Sequence, residues 1–201
     1  MKKIMMIAGV VLLTSSAWAG QKSYEGSGFE GWIDNGGPEN PNLSEIFVSD
    51  HGEILSMDIV SLIDFNHTWA GDLIIRLTHK DTGTSVTLLD RPGIPESNFG
   101  ANADFAGNYD WQDGGFVWDD MTFDGGVVPT NVIFGPVTGA LSDFAGEDKF
   151  GTWSLTISDG AFLDVGSLGG WGFTVTNVPA PGALALLGLA GLVARRKRTR
   201  A

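Results

Sequence analysis

Cysteine is absent from all 201 residues, so neither a disulfide framework nor thiolate metal ligation is available to this chain. Stability must come from core packing or from bound ions. Histidine occurs three times, tyrosine twice, and Lys and Arg total 12 against 24 Asp and Glu. Seven of those basic residues lie at the two ends: Lys2, Lys3, Arg195, Arg196, Lys197, Arg198 and Arg200. All acidic residues fall between Glu25 and Asp164, which leaves the body with five cations against 24 anions. Such a body repels nucleic acid and anionic lipid head groups and attracts divalent cations or basic surfaces. Nucleic-acid binding is excluded on this ground. The body also lacks a fixed-period repeat, a low-complexity linker and any sustained 3.6-residue periodicity beyond one turn near Leu141 to Phe144.

The two ends carry what the body lacks. Lys2 and Lys3 precede the apolar stretch Ile4 to Leu13, and Ala17-Trp18-Ala19 supplies a small-x-small cleavage site. Residues 1–19 therefore read as a signal peptide for signal peptidase, with the mature chain starting at Gly20. At the other end Val178-Pro179-Ala180-Pro181 leads into the uncharged run Gly182 to Ala194 and then the Arg-rich cluster. Thirteen helical residues rise about 20 Å, short of the roughly 30 Å hydrocarbon core. The cations beyond would stay cytoplasmic by the positive-inside preference, so the segment reads as a transient membrane anchor with the body facing outward. This order resembles the PEP-CTERM sorting signal, with Ala180 where that signal usually has Glu. The resemblance implies recognition and cleavage by a membrane exosortase in a Gram-negative bacterium. It also implies a place at the cell surface or in the extracellular matrix of an exopolysaccharide-producing, biofilm-forming cell. Sorting would rest on Val178, Pro179, Ala180, Pro181, Arg195 and Arg196. Residues 20–177 then form one domain and residues 178–201 the sorting signal.

Within the body the patterning is that of strands. From Leu55 the odd positions Leu55, Met57, Ile59, Ile63 and Phe65 are apolar, with Ser56, Asp58 and Asp64 opposed. The same period of two recurs at Leu73, Ile75 and Leu77, at Trp153, Leu155 and Ile157, and at Trp171, Phe173 and Val175. These read as half-buried antiparallel strands. Turn-forming groups separate them, including Asp81-Thr82-Gly83, Arg91-Pro92-Gly93, Asp113-Gly114-Gly115 and Asp159-Gly160. Many short strands with glycine-rich turns predict an all-β, antiparallel jelly-roll β-sandwich of about eight strands. Ala101 to Gly126 is the least regular stretch and reads as long loops around one or two short strands.

Laid in order, the segments resemble the P domain, or homo B domain, of kexin-type proprotein convertases. His67-Thr68, Gly71-Asp72-Leu73, Gly83-Thr84 and Arg91 stand where that family has a His-Thr strand end, a Gly-Asp-Leu strand start, a Gly-Thr turn and a closing Arg. Leu141 to Gly146, Gly151-Thr152-Trp153 within Phe150 to Asp159, and Gly166 to Trp171 match its later segments. The likeness runs from about Phe29 to Thr176. It departs at His79 to Gly83, where the family has Ser-Pro-Ser-Gly-Thr, and in an insertion around Gly100 to Gly115. In proteases that carry it, this domain follows a subtilisin-like catalytic domain and stabilises it. The body has neither the length nor the helices for a subtilisin-type triad, so no catalytic residue is assigned and the chain reads as a non-enzyme.

By the resemblance His67, Thr68, Gly71, Asp72, Leu73, Gly151, Thr152 and Trp153 are structural, with Asp72 bonding amides of its turn. Calcium is the expected cofactor, if any: Asp119, Asp120 and Asp124 form one group in Gly-rich sequence and Asp159 and Asp164 another, with Asp104, Asp110 and Asp113 nearby. No Asp-x-Asp-x-Asp loop ending in Glu accompanies them, so solvated loop acids remain the alternative. Trp69, Trp111 and Trp118 read as loop residues that could stack on a sugar or partner, or pack across the loop base. Three functional classes follow: a surface or matrix binding module with an exopolysaccharide or surface-protein ligand, an accessory domain acting in trans on a surface protease, and a glycan-active jelly-roll hydrolase. Asp119 and Asp120 cannot serve the last together, because neighbouring strand residues face opposite ways.

Overall fold

The computed structural model describes residues 19–29, 33–34, 40–161 and 163–179. The sorting and cleavage residues Ala17, Ala180, Pro181, Arg195 and Arg196 lie outside them. Ala19 is exposed beside the first strand, and Val178 and Pro179 end the last one.

Ten strands are described: β1 (Gly20–Ser27), β2 (Ile33–Asp34), β3 (Asn42–Val48), β4 (Gly52–His67), β5 (Leu73–His79), β6 (Ser85–Asp90), β7 (Phe105–Val117), β8 (Ile133–Gly135), β9 (Gly151–Asp159) and β10 (Val165–Pro179). They form a six-stranded sheet in the order β1-β10-β4-β7-β8, with β2 also on β10, and a four-stranded sheet in the order β3-β9-β5-β6. The chain is thus all-β and sandwich-like, as its alternation predicts. Two details differ from expectation. The count exceeds eight because β1 and β2 add to one sheet, and β7 pairs with β8 in parallel.

Tryptophans close the sandwich. Trp111 of β7 donates from Nε1 to the Leu88 carbonyl of β6 at 3.0 Å, and Trp171 of β10 donates to Ser44 Oγ of β3 at 2.8 Å. Each bond joins the two sheets through a ring that is itself buried, so the polar edge of the indole is satisfied inside the core. At the rim, Lys149 is buried and its Nζ donates to Asp50 and, at 2.6 Å, to the Tyr24 hydroxyl.

Strand β4 corrects the sequence reading. Its buried side chains are Ile54, Met57, Val60, Leu62, Phe65 and His67, whereas Leu55 is exposed and Ile59 and Ile63 are half-buried. The register against β10 slips between Thr174 and Val175 and again between Thr176 and Asn177, and the register against β7 slips between Leu62 and Phe65. Each extra residue moves the following side chains to the other face. A strict period of two therefore cannot run the length of the strand. Strand β7 is a second correction: Asp113-Gly114-Gly115, expected as a turn, lies inside it, with Gly114 at φ 78° where the pairing with β8 shifts between Trp111 and Phe116. Trp111 is consequently a core strand residue. Trp118, just beyond β7, is also buried and stacks on Phe134 at 6.0 Å.

Candidate functional site

Three connections meet at one end of the sandwich: 68–72 between β4 and β5, 91–104 between β6 and β7, and 160–164 between β9 and β10. His67, the last residue of β4, is buried and its Nε2 donates to Asp159 Oδ2 at 3.3 Å, both side chains being withdrawn from solvent. Asp159 Oδ1 accepts from the Ala161 N–H at 3.0 Å, which turns the chain out of β9. The other His67 ring nitrogen, Nδ1, meets no partner among the described residues. Thr68 fastens the next loop: its Oγ1 donates to Asp164 Oδ1 at 3.1 Å and accepts from the Val165 N–H at 3.3 Å.

The 68–72 connection turns on Trp69, which sits in the left-handed region at φ 67°, ψ 81° and leads into a 3₁₀ turn at Ala70–Asp72. That conformation is held from outside. The Ala70 N–H donates to the Ala103 carbonyl at 2.7 Å, the Gly71 N–H to the Ala101 carbonyl at 3.0 Å, and Trp69 Nε1 to the Phe99 carbonyl at 2.6 Å. Gly71 passes so close to the 91–104 loop that a Cβ would lie 2.6 Å from Ala101 N and from Gly100 Cα. Both clashing atoms are backbone, so the loops would have to part. Gly71→Ala is expected to cost about 1–3 kcal/mol and to detach the 91–104 loop. A lowered urea midpoint, with faster amide exchange at Ala101 and Ala103, checks this.

Asp72 was expected to bond amides of its own turn. Those amides are already taken: the Asp72 N–H donates to the Trp69 carbonyl, and its two predecessors donate to 101 and 103. Asp72 is 5% exposed, and its carboxylate receives no hydrogen bond from the described residues. Burial, and then the negative charges of Asp159 and Asp164, push its carboxyl up to about 6, with Arg91 and His67 opposing the rise. The carboxylate looks into a cavity of about 330 Å³ lined by Trp69, Asp72, Phe99, Ala161 and Asp164. Trp69 is half-buried and Phe99 is 70% exposed, so the cavity has aromatic walls and an acidic floor.

The other residues singled out in the sequence fall elsewhere. Asp119, Asp120 and Asp124 are exposed; Asp120 Oδ1 accepts from Thr122 N–H at 2.8 Å and Asp124 Oδ1 from Asn102 N–H at 2.9 Å. Hydrogen bonds from Thr122 hold the Asp120 carboxyl below its usual range. Asp113 caps Leu141 and Ser142, Asp110 accepts from Ser61, and Asp104 accepts from the Trp69 N–H. Only Asp159 and Asp164 join Asp72. Both Asp159 oxygens are committed to His67 and Ala161, and among the described residues no group of three or more His, Asp or Glu is arranged to hold a metal ion. The donor set as it stands does not fit calcium, and no ion is assigned here. Gly151, Thr152 and Trp153 lie at the start of β9 against the 79–84 turn, where the Thr152 N–H donates to Asp81 Oδ2 at 2.7 Å; Leu73 is core. Phe99 and the Ala101 and Ala103 carbonyls escaped the sequence reading, because irregular loops give no periodic signal.

The domain is a two-sheet β-sandwich with loops around one aromatic, acid-lined hollow and with His67 bonded to Asp159. The family model of the proprotein convertase P-domain matches residues 57–175, more than half of the chain, and takes in His67, Asp72 and Trp153; the chain belongs to that family. The P domain is a non-catalytic accessory domain of proteases. Similar solved structures include the serine protease of Aeromonas sobria (16% identity, TM-score 0.48, 79% of this chain and 27% of that one). They also include the crystal structure of that protease with the chaperone ORF2 (16% identity, TM-score 0.47, 80% and 27%). The chain thus spans about a quarter of the length of those proteins. No curated protein matches it.

Proposed function

We propose that this chain is an exported, exosortase-sorted surface or matrix protein whose P domain acts by binding at the loop end of its sandwich and not by catalysis. The observation that carries the reading is a hollow lined by the family residue Asp72 with Trp69, Phe99, Ala161 and Asp164, at the loop end where His67, Thr68 and Gly71 fasten the connections around it. His67 is tied to Asp159 through Nε2 while Nδ1 meets no hydroxyl, so the pair has no nucleophile to activate. The charged N-terminus with its Ala-x-Ala site and the Pro-x-Pro, apolar, Arg-rich tail support export and sorting. A second reading, an accessory domain working in trans on a subtilisin-like surface protease, is favoured by family membership.

The sorting is tested by expressing the whole chain in a Gram-negative host with and without an exosortase. With the enzyme, intact-mass spectrometry should find a chain at the cell surface or in the medium, starting at Gly20 and lacking the Arg cluster. Without it, the chain should stay in the inner-membrane fraction with residues 182–201 intact. An unprocessed chain in the cytoplasm of both hosts would overturn the proposal.

A further inference from the structure

The hollow at the loop end has a defined chemistry. Its floor is Asp72, nine-tenths buried, whose carboxylate receives no hydrogen bond from the described residues. Beside it stands Asp164, whose Oδ1 is held by Thr68. The walls are Trp69, pinned through Nε1 to the Phe99 carbonyl, and the Phe99 ring. Arg91 opposes the rise of the Asp72 carboxyl by its charge, but its Nε donates to the Gly71 carbonyl at 3.3 Å and among the described residues it forms no ion pair with Asp72. A carboxylate withdrawn from most of its water and given no protein donor is held in an unfavourable setting. A ligand that brings donors and positive charge relieves it.

We infer that this hollow is a receptor for an arginine side chain presented by a protein partner, with the guanidinium on the Asp72 and Asp164 carboxylates and its stem between Trp69 and Phe99. The guanidinium is planar, weakly hydrated and able to bond carboxylates in pairs, and its face stacks on aromatic rings. An ammonium is a compact, strongly hydrated charge and gains less from apolar walls. Charge complementarity extends outward, since the body carries 24 acidic residues against five basic ones between Gly20 and Asn177. The inference rests on the loop end being the working surface of the domain. Because Asp72 must be ionised to bind a cation, affinity should rise with pH through about 6. The other groups facing it are Asp159, Asp164, His67 and Arg91.

The test uses the full chain and a blocked Gly-Arg-Gly peptide, with the lysine and citrulline peptides as controls, by titration calorimetry at pH 7.5 and pH 5. Binding of the arginine peptide is expected to weaken at least tenfold in Asp72→Asn, Asp164→Asn and Trp69→Ala, each first shown to melt cooperatively. It should weaken with lysine and vanish with citrulline, which has the same shape without the charge. Equal binding of arginine and citrulline peptides, affinity unchanged in all three variants, or binding of chitosan oligomers in place of the arginine peptide would overturn the assignment. So would no detectable binding at millimolar peptide. The in-trans reading is separated by mixing the chain with a subtilisin-like protease that lacks its own P domain. Protease stabilisation that survives in Asp72→Asn and Trp69→Ala would sink the arginine receptor and leave the accessory role standing. Arginine binding without any effect on the protease would do the reverse.

Discussion

Replacing Trp153 by alanine is expected to lower the unfolding free energy by about 3–5 kcal/mol, a large share of the roughly 5–15 kcal/mol that holds an ordinary domain. The ring is fully buried in β9 and touches both sheets. His79 of β5 stacks on it at 4.2 Å and 3°, Phe144 packs at 5.0 Å, and Phe173 of β10 lies across the sandwich at 4.6 Å. Its Nε1 donates to the Lys149 carbonyl at 3.0 Å, fixing the loop that carries the buried lysine. The stack also orients His79, whose Nδ1 bonds Glu147 at 2.8 Å and whose Nε2 bonds the Phe150 carbonyl at 3.1 Å. Trp153→Phe keeps most of the apolar area but orphans the Lys149 carbonyl, for a smaller loss of about 1–2 kcal/mol. Urea midpoints of the two variants at constant m-value measure both. A loss below about 1 kcal/mol for the alanine variant would mean that the site collapses around the cavity and that this cross-sheet stack is not the centre of the core.

Asp72→Asn should act in the opposite direction, and only above acidic pH. The folded-state pKa of Asp72 is raised from 3.8 to about 6, so the folded protein holds that proton more tightly than the unfolded chain. Its contribution is most favourable below the unfolded value. It declines as pH rises from about 4 through 6 and stays at its least favourable level beyond. A shift of this size corresponds to about 3 kcal/mol, from which the asparagine variant should recover about 1–2 kcal/mol at pH 7.5 because its amide remains buried without partners. At pH 4 the two proteins should melt together. The rim titrates the other way: burial tends to raise the Asp50 carboxyl, but Lys149 and Lys22 outweigh it and hold it down to about 2, so the stability it lends is lost as pH falls from about 4 toward 2. The wild type should therefore be most stable between about pH 4 and 6. Melting temperatures of both proteins from pH 3 to 8 provide the check. Parallel curves would show that Asp72 is solvated in the folded state and would remove the driving force assigned to the hollow.

Strands whose pairing is regular were legible from their residues. In β9, Trp153, Leu155 and Ile157 face inward, and in β10 so do Trp171, Phe173 and Val175, because side-chain alternation needs only the local pleat. In β4 the same rule placed Met57 and Phe65 inward but failed at Leu55, Ile59 and Ile63. The slips at 54–59 are set by the partner β10, and Asp64, at φ 49°, is stabilised by Asn108 Oδ1 accepting from its N–H at 2.8 Å. Nothing within 52–67 announces those partners. The glycine pair at 114–115 misled for a related reason: the same residues that turn a chain also permit a bulge inside a strand.

The candidate site divides along the same line. Composition and alternation, read along the chain, determined an all-β body, its strongly acidic balance and its lack of disulfides, and the resemblance to the P domain marked His67, Thr68, Gly71, Asp72 and Trp153. These are properties of single residues and their near neighbours. Only the tertiary structure decided that Asp159, 92 positions away, lies on His67, and that Ala101 and Ala103 take the amides Asp72 was expected to bond. It also joined Trp69, Phe99 and Asp164 to Asp72 in one hollow. Burial and the field of neighbouring charges set the protonation of a carboxyl, and both come from whichever segments the fold brings alongside.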